Sequence, residues 1–213
     1  MKPLFYLFLL FSFACDNSAM YMENEDDYFH GEITYRYTYQ SDQLDSDSLT
    51  QVRPHTGKML FEAQNYRSVF IGSDTSRYIY LGDVNLCYGY YSQDQTEECE
   101  DYSMYTDSIL DFKVYESDTT ILGLDCFVLE FQSKYFWNRY YVSETIHLNP
   151  LSYEDHHAYN WSFYGKECKG GLILAMEHRF NKFTMKGRAI NIEHIENEKK
   201  LINTQRVLSL CAP

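Results

Sequence analysis

The sequence predicts a mainly β protein, built as one large curved antiparallel sheet or half-open β-barrel with one or two short helices. Three observations predict it. Gly31 to Gln40 (GEITYRYTYQ) alternates cleanly, with Ile33, Tyr35, Tyr37 and Tyr39 on one side and Glu32, Thr34, Arg36, Thr38 and Gln40 on the other. That is the period of a half-buried strand. Strand-like runs then recur along the chain, separated by turn-forming Gly, Asp, Ser and Asn, a pattern that favours an antiparallel sheet. Finally, 21 tyrosines and 14 phenylalanines among 213 residues suit a pleated, half-buried surface better than helices.

In chain order the runs are KMLFEA, RSVFIG, SRYIYLG, VNLCYGYY, ILDFKVYE, LDCFVLEF, KYFWNRYYV, ETIHL, GLILAMEHRF and FTMKGRAINIEHI. SDQLDSDSLT, after the first strand, reads as a polar loop. In the last run Phe183 and Met185 occupy odd positions but Ile190 and Ile192 even ones, which predicts a bulge at Gly187. Ser152-Tyr153-Glu154-Asp155 has the shape of a capping box and predicts a short helix over Tyr153 to Tyr159; Glu196 to Arg206 is a second candidate. No internal repeat or second domain is visible, so residues 31–213 read as a single β domain.

The N-terminus carries its own signal. Lys2 precedes an apolar run from Leu4 to Phe13, too short for a bilayer core that takes about 20 helical residues, but of the length of a secretory signal. Ser12-Phe13-Ala14 places small residues three and one before a cut, which makes residues 1–14 a signal peptide and Cys15 the new N-terminus. Two outcomes stay open: Cys15 is lipidated, as in bacterial lipoproteins, or it merely lies beside an ordinary cleavage site. The short run and the position of Cys15 favour lipidation. Residues 15–30 read as a linker, and Asp16 to Asp27 within them (DNSAMYMENEDD) is polar, acidic and solvated.

Composition excludes some partners. With 31 acidic against 18 basic residues and no basic stripe, nucleic acid would be repelled. Six cysteines in an exported chain read as a disulfide framework. Cys87 and Cys99 flank a turn and are the favoured pair, a loop whose closure contributes roughly 3 kcal/mol in the chain-entropy account. Cys126–Cys168 is the second pairing, leaving Cys211 over. No CxxC occurs, so neither a thioredoxin-type site nor a zinc ribbon is indicated.

Chemistry-bearing motifs are sparse. Glu154-Asp155-His156-His157, with His147 and His178 elsewhere, is the densest set of metal-ligand types. Adjacent histidines diverge on a helix, however, and no metal or other cofactor is expected from His147, His156 and His157. There is no G-x-S-x-G elbow, and no catalytic residue is assigned; the expectation is a non-enzymatic protein, with a metal-dependent or carboxylate hydrolase as the less favoured alternative. The better lead is aromatic. Tyr78, Tyr80, Tyr88, Tyr90, Tyr91, Tyr102 and Tyr105 fall in one zone, where hydroxyl-rimmed rings line a groove or simply face a sheet. Tyr35, Tyr37, Phe127, Leu129, Trp137, Leu174 and Met176 are the residues expected to line the interior, as a groove or as plain core.

One stretch resembles a known family. TTILGLDC, through Ile121 to Cys126, is similar to the G-x-x-C segment of the GLPGLI family of small exported Bacteroidota envelope proteins. Gly171-Leu172-Ile173-Leu174 is similar to the second half of that family's signature, and FEAQNYRSVF to its strand ending in Ser-x-aromatic. The chain has Cys168-Lys169-Gly170 where the signature has Gly-Leu-Pro, and Tyr140-Tyr141 where a Trp is usual, so the resemblance extends to that family or a sister of it. It implies an exported β protein with an architecture similar to the half-barrel of periplasmic lipoprotein carriers, and supplies no activity, cofactor or catalytic residue. The expected partners are therefore an apolar or lipid ligand, the membrane through a lipid anchor on Cys15, and an outer-membrane protein. The competing expectation is a structural accessory of an outer-membrane complex with no small ligand.

Overall fold

The computed structural model describes residues 27–104, 107–196 and 201–212. The signal peptide, Cys15 and most of the acidic linker lie outside these residues, as does Tyr105. Eleven antiparallel strands form one open, curved sheet: β1 Gly31–Gln40, β2 Thr56–Glu62, β3 Asn65–Ile71, β4 Thr75–Leu81, β5 Leu86–Tyr91, β6 Thr96–Asp101, β7 Ile109–Ile121, β8 Leu124–Ser133, β9 Trp137–His147, β10 Gly171–Arg179 and β11 Thr184–His194. The order across the sheet is β6-β5-β4-β3-β2-β1-β11-β10-β9-β8-β7, so neighbours in sequence pair except β6 and β7, and β11 pairs with β1. β6 and β7 are therefore the two edges. The two segments KYFWNRYYV and ETIHL form one strand, β9, whose pairing with β10 shifts register twice near Ile173.

The alternation predicted for β1 is the one observed: Ile33, Tyr35, Tyr37 and Tyr39 are buried on the concave face. Burying such rings is the main stabilising term, about 25 cal/mol per Å² of apolar surface. Two glycines make room for one of them. A Cβ on Gly57 would lie 2.6 Å from the Tyr37 hydroxyl oxygen, and one on Gly187 would lie 2.6 Å from Tyr37 Cε1. The bulge expected at Gly187 falls instead near Ile190, where the β1–β11 register slips between Tyr35↔Ala189 and Thr34↔Asn191. Gly187 is there for close approach, not for a bend. Gly187→Val should therefore destabilise the protein by about 1–3 kcal/mol through overpacking, read as a lowered urea midpoint. An unchanged midpoint would mean that the Tyr37 ring moves aside freely.

Three short helices accompany the sheet among the described residues: α1 Ser46–Val52, α2 Trp161–Glu167 and α3 Thr204–Leu210. α1 arises inside the expected polar loop because Asp45 accepts from the Ser48 amide and caps it. The helix expected over Tyr153 to Tyr159 is instead two 3₁₀ turns, Pro150–Tyr153 and Ala158–Asn160. Tyr159 and Asn160 then take left-handed backbone, and α2 begins after them. The helix expected over Glu196 to Arg206 starts later, at Thr204, with Asn203 accepting from the Arg206 amide.

This crossover from β9 to β10 folds into the concave face. Tyr153, His156, Trp161 and Tyr164 fill it, against Tyr66, Tyr80 and Tyr140. α3 packs on the opposite, convex face, where Val207 and Ile202 meet Leu60, Leu81 and Tyr88. The Glu62 carboxylate accepts from the amides of Leu201 and Ile202 at 2.7 and 2.8 Å and holds that segment down.

The disulfide differs from both expected pairings. It joins Cys99 to Cys211, while Cys87, Cys126 and Cys168 are free and buried. Parity explains the correction. Cys99 lies opposite Tyr88, not Cys87, so Cys87 points into the concave core and Cys99 to the convex face beside α3. Cys126 and Cys168 belong to separate clusters of the core.

Candidate functional site

The tyrosine zone does not form a groove. Tyr80 and Tyr102 stack within the core, with ring centroids 6.0 Å apart, while Tyr88 and Tyr90 face α3. What space remains, between Tyr78, Tyr91, Tyr102, Tyr159 and Cys87, is about 30 Å³, room for about one water. The cause is the β9–β10 crossover. His156 sits fully buried among Tyr66, Tyr80, Tyr102 and Trp161, and its Nε2 pairs with the Tyr66 hydroxyl at 2.9 Å. Its Nδ1 has no hydrogen-bond partner among the described residues. Burial pushes the His156 ring down to about 3, so it stays neutral at physiological pH.

The interior-lining residues separate into three groups. Tyr35, Tyr37, Leu129 and Leu174 are buried on the concave face, with Tyr35 donating to the Ile173 carbonyl oxygen at 2.6 Å, and half-buried Met176 packs with them. These are covered by the crossover. Trp137 is on the other side of the sheet. β9 alternates, with Asn138, Tyr140 and Val142 inward, so Trp137 faces out and the guanidinium carbons of Arg179 and Arg139 stand 3.7 and 4.9 Å from its ring centroid. Those arginines belong to a ladder on the outer face: Lys113–Glu130 at 2.8 Å, Arg139–Glu130 at 2.7 Å and Arg179–Glu177 at 3.0 Å. Burial alone would raise the Glu130 carboxyl, but the hydrogen bonds from Lys113 and Arg139 outweigh it and hold it below the ordinary carboxylate range.

Phe127 is the third case, and it marks the site. A hollow of about 340 Å³ lies between β7, β8, the end of β9 and the C-terminus of α2, lined by Val114, Phe127, Glu144, His147, Glu167, Cys168 and Lys169. Phe127 and Val114 supply its apolar wall, from neighbouring strands, with Cys168 behind them. Burial drives the Cys168 thiol well above its usual range, which keeps it protonated as an apolar part of the wall. Charged and polar side chains ring the mouth. The two His147 ring nitrogens lie 3.2 and 3.1 Å from the carbonyl oxygens of Lys169 and Glu144, bracing the end of β9 against the turn after α2.

The histidines do not converge. His147 is turned to backbone carbonyls and His156 is enclosed in the aromatic core. His157 follows it, its amide donating to the Tyr102 carbonyl oxygen at 2.8 Å. Among the described residues no group of three His, Cys, Asp or Glu side chains is placed to hold a metal. Sequence reasoning missed Val114, Glu144, Glu167 and Lys169, because the hollow exists only where α2 returns against β8. The lone signal was Phe127, an aromatic in phase with Leu129 on β8.

Comparison with known proteins finds distant structural likeness that carries no argument. No family model matches the chain, so the resemblance at Ile121 to Cys126 and Gly171 to Leu174 remains one of short motifs. No curated protein matches it either. The structure of PNGF-II aligns over 84% of this chain and 30% of its own length, at 10% identity and a TM-score of 0.46; this chain thus spans less than a third of that protein. LprF from Mycobacterium bovis aligns over 79% of this chain and 90% of its own, at 7% identity and a TM-score of 0.34. Likenesses this distant carry no argument about function.

Proposed function

We propose that this chain is a non-enzymatic binding module whose ligand enters the hollow at Phe127 and Val114. The carrying observation is the hollow itself, about 340 Å³ with an apolar wall and a charged rim, against about 30 Å³ left in the tyrosine zone. That volume is at the lower end of the range of small-molecule sites, about 300–1,000 Å³, and suits a single apolar chain or ring. The rim sets the other end of the ligand. Glu144 and Glu167 outnumber Lys169, which disfavours a carboxylate and favours an uncharged polar head, such as that of a monoacylglycerol.

The setting we propose is the cell envelope, with residues 1–14 removed and Cys15 acylated. The Cys99–Cys211 bridge supports an oxidising compartment. No helix among the described residues is long and apolar enough to cross a membrane. The intact mass of the protein from its own membranes tests the anchor: cleavage before Cys15 with added acyl mass supports it, and cleavage without that mass removes it.

The binding reading is tested with Nile red, a neutral probe that brightens in apolar sites. The protein should enhance its fluorescence saturably, and Phe127→Gln should weaken that binding about tenfold or more, from the lost burial of an aromatic ring. Enhancement that is absent, or that Phe127→Gln leaves unchanged, would favour the structural-accessory reading instead.

A further inference from the structure

The two edges of the sheet are built differently. β6 (TEECED) places Glu97, Glu98, Glu100 and Asp101 along its six residues, and such charge guards an edge against pairing with a like copy. β7 is the opposite. It is 13 residues long, and no strand among the described residues pairs with its outer side. Its apolar side chains stand in solvent, with Leu110 at 67% exposure, Phe112 at 45% and Val114 at 44%. A long edge strand of this kind is a template for another strand.

We propose that β7 pairs antiparallel with β7 of a second copy, in the register that sets Phe112 opposite Phe112. A two-fold axis normal to the sheet keeps inward residues opposite inward ones, so few registers qualify. Centring on Asp111 or Lys113 puts like charges face to face, which is unfavourable. Centring on Val114 sets Phe112 against Glu116. Centring on Phe112 sets Asp111 against Lys113 twice, while Leu110 lies at the register slip between Ile109 and Asp111 and stands outside the regular seam. The Asp111 side chain has no ion pair or hydrogen bond among the described residues, and Lys113, held by Glu130 at 2.8 Å, keeps an exposed side chain. On the inner face Phe112 already meets Phe163 edge-on at 5.2 Å, and Phe163 meets Phe131 at 5.5 Å. The seam would join two such aromatic triplets. The result is a closed pair with one continuous sheet, its outer edges the two acidic β6 strands.

Sedimentation velocity of the purified protein across a concentration series tests this. The expected mass is twice that of one chain. Asp111→Lys, at an exposed position, should return it to one chain by facing Lys on Lys, and Asp111→Lys with Lys113→Asp should double it again. Under mild oxidation Phe112→Cys should give a disulfide-linked pair, since directly opposed residues lie about 4.5–5.5 Å apart, whereas Val114→Cys should not. A single-chain mass at every concentration would overturn the proposal. So would a pair indifferent to Asp111→Lys, or a double variant that stays single. None of these readouts depends on the hollow being occupied.

Discussion

Acidification below about pH 6.5 should destabilise this protein, beginning above the range where carboxylates titrate. His156 is held neutral in the core, its pKa lowered by burial from 6.5 to about 3. A depressed folded-state pKa means that the unfolded chain binds more protons between those two values. Stability is therefore fully present above about pH 6.5 and falls as pH drops toward 3. The slope is about 1.4 kcal/mol per pH unit for one such group. His178 adds in the same direction: burial lowers it to about 4, with Nδ1 donating to Asn138 Oδ1 at 2.5 Å. Its ring lies at a half-buried position, so we expect it to contribute less. Against a total of about 5–15 kcal/mol for a typical protein, the loss by pH 4 is a large share. Urea midpoints at pH 7, 5 and 4 measure it. His156→Phe keeps the stacking on Tyr80 and Trp161 but removes the titration. It should cost about 1–3 kcal/mol at pH 7, because the Tyr66 hydroxyl loses its partner, yet flatten the fall below pH 6.5. A slope identical to that of the unmodified protein would show that His156 is not the responsible group.

Removing the disulfide should have an effect of similar size by a different route. Cys99 and Cys211 are 112 residues apart, so the bridge closes most of the domain into one loop. In the chain-entropy account a loop of about 100 residues is worth about 4.7 kcal/mol, through restriction of the unfolded chain. Cys99→Ala with Cys211→Ala should lower stability by about that amount, with the acidic β6 and α3 the first elements released. Reductant should have the same effect on the unmodified protein and none on the double variant. A loss under about 1 kcal/mol would mean that Ile202, Val207 and the Glu62 contacts hold α3 by themselves.

Much of the sheet was legible because its chemistry is local. The Ile33-Tyr35-Tyr37-Tyr39 alternation on β1 needs only the period of a strand. The strand-like run LDCFVLEF, Leu124 to Phe131, falls within β8. What failed depended on contacts distant in sequence. The pairing of Cys87 with Cys99 looked natural by spacing, but an offset of one residue across the β5–β6 hairpin puts them on opposite faces. Trp137 was assigned inward because the phase of β9 could not be set without its partner, β10. The helix α2 was missed because WSFYGKE contains three aromatics and a glycine, and follows left-handed backbone at Tyr159 and Asn160 with no capping side-chain hydrogen bond. That omission had the largest consequence. Without α2 and the turns before it, the concave aromatic face reads as an open groove. With them it is a filled core, and the remaining space shifts to the hollow beside Phe127.

The measurement that bears most directly on the binding reading is native mass spectrometry of the purified protein with a monoacylglycerol, beside Phe127→Gln. The account predicts a one-to-one complex for the unmodified chain and its loss in the variant, with both proteins folded. No complex, or the same complex in both, would contradict it.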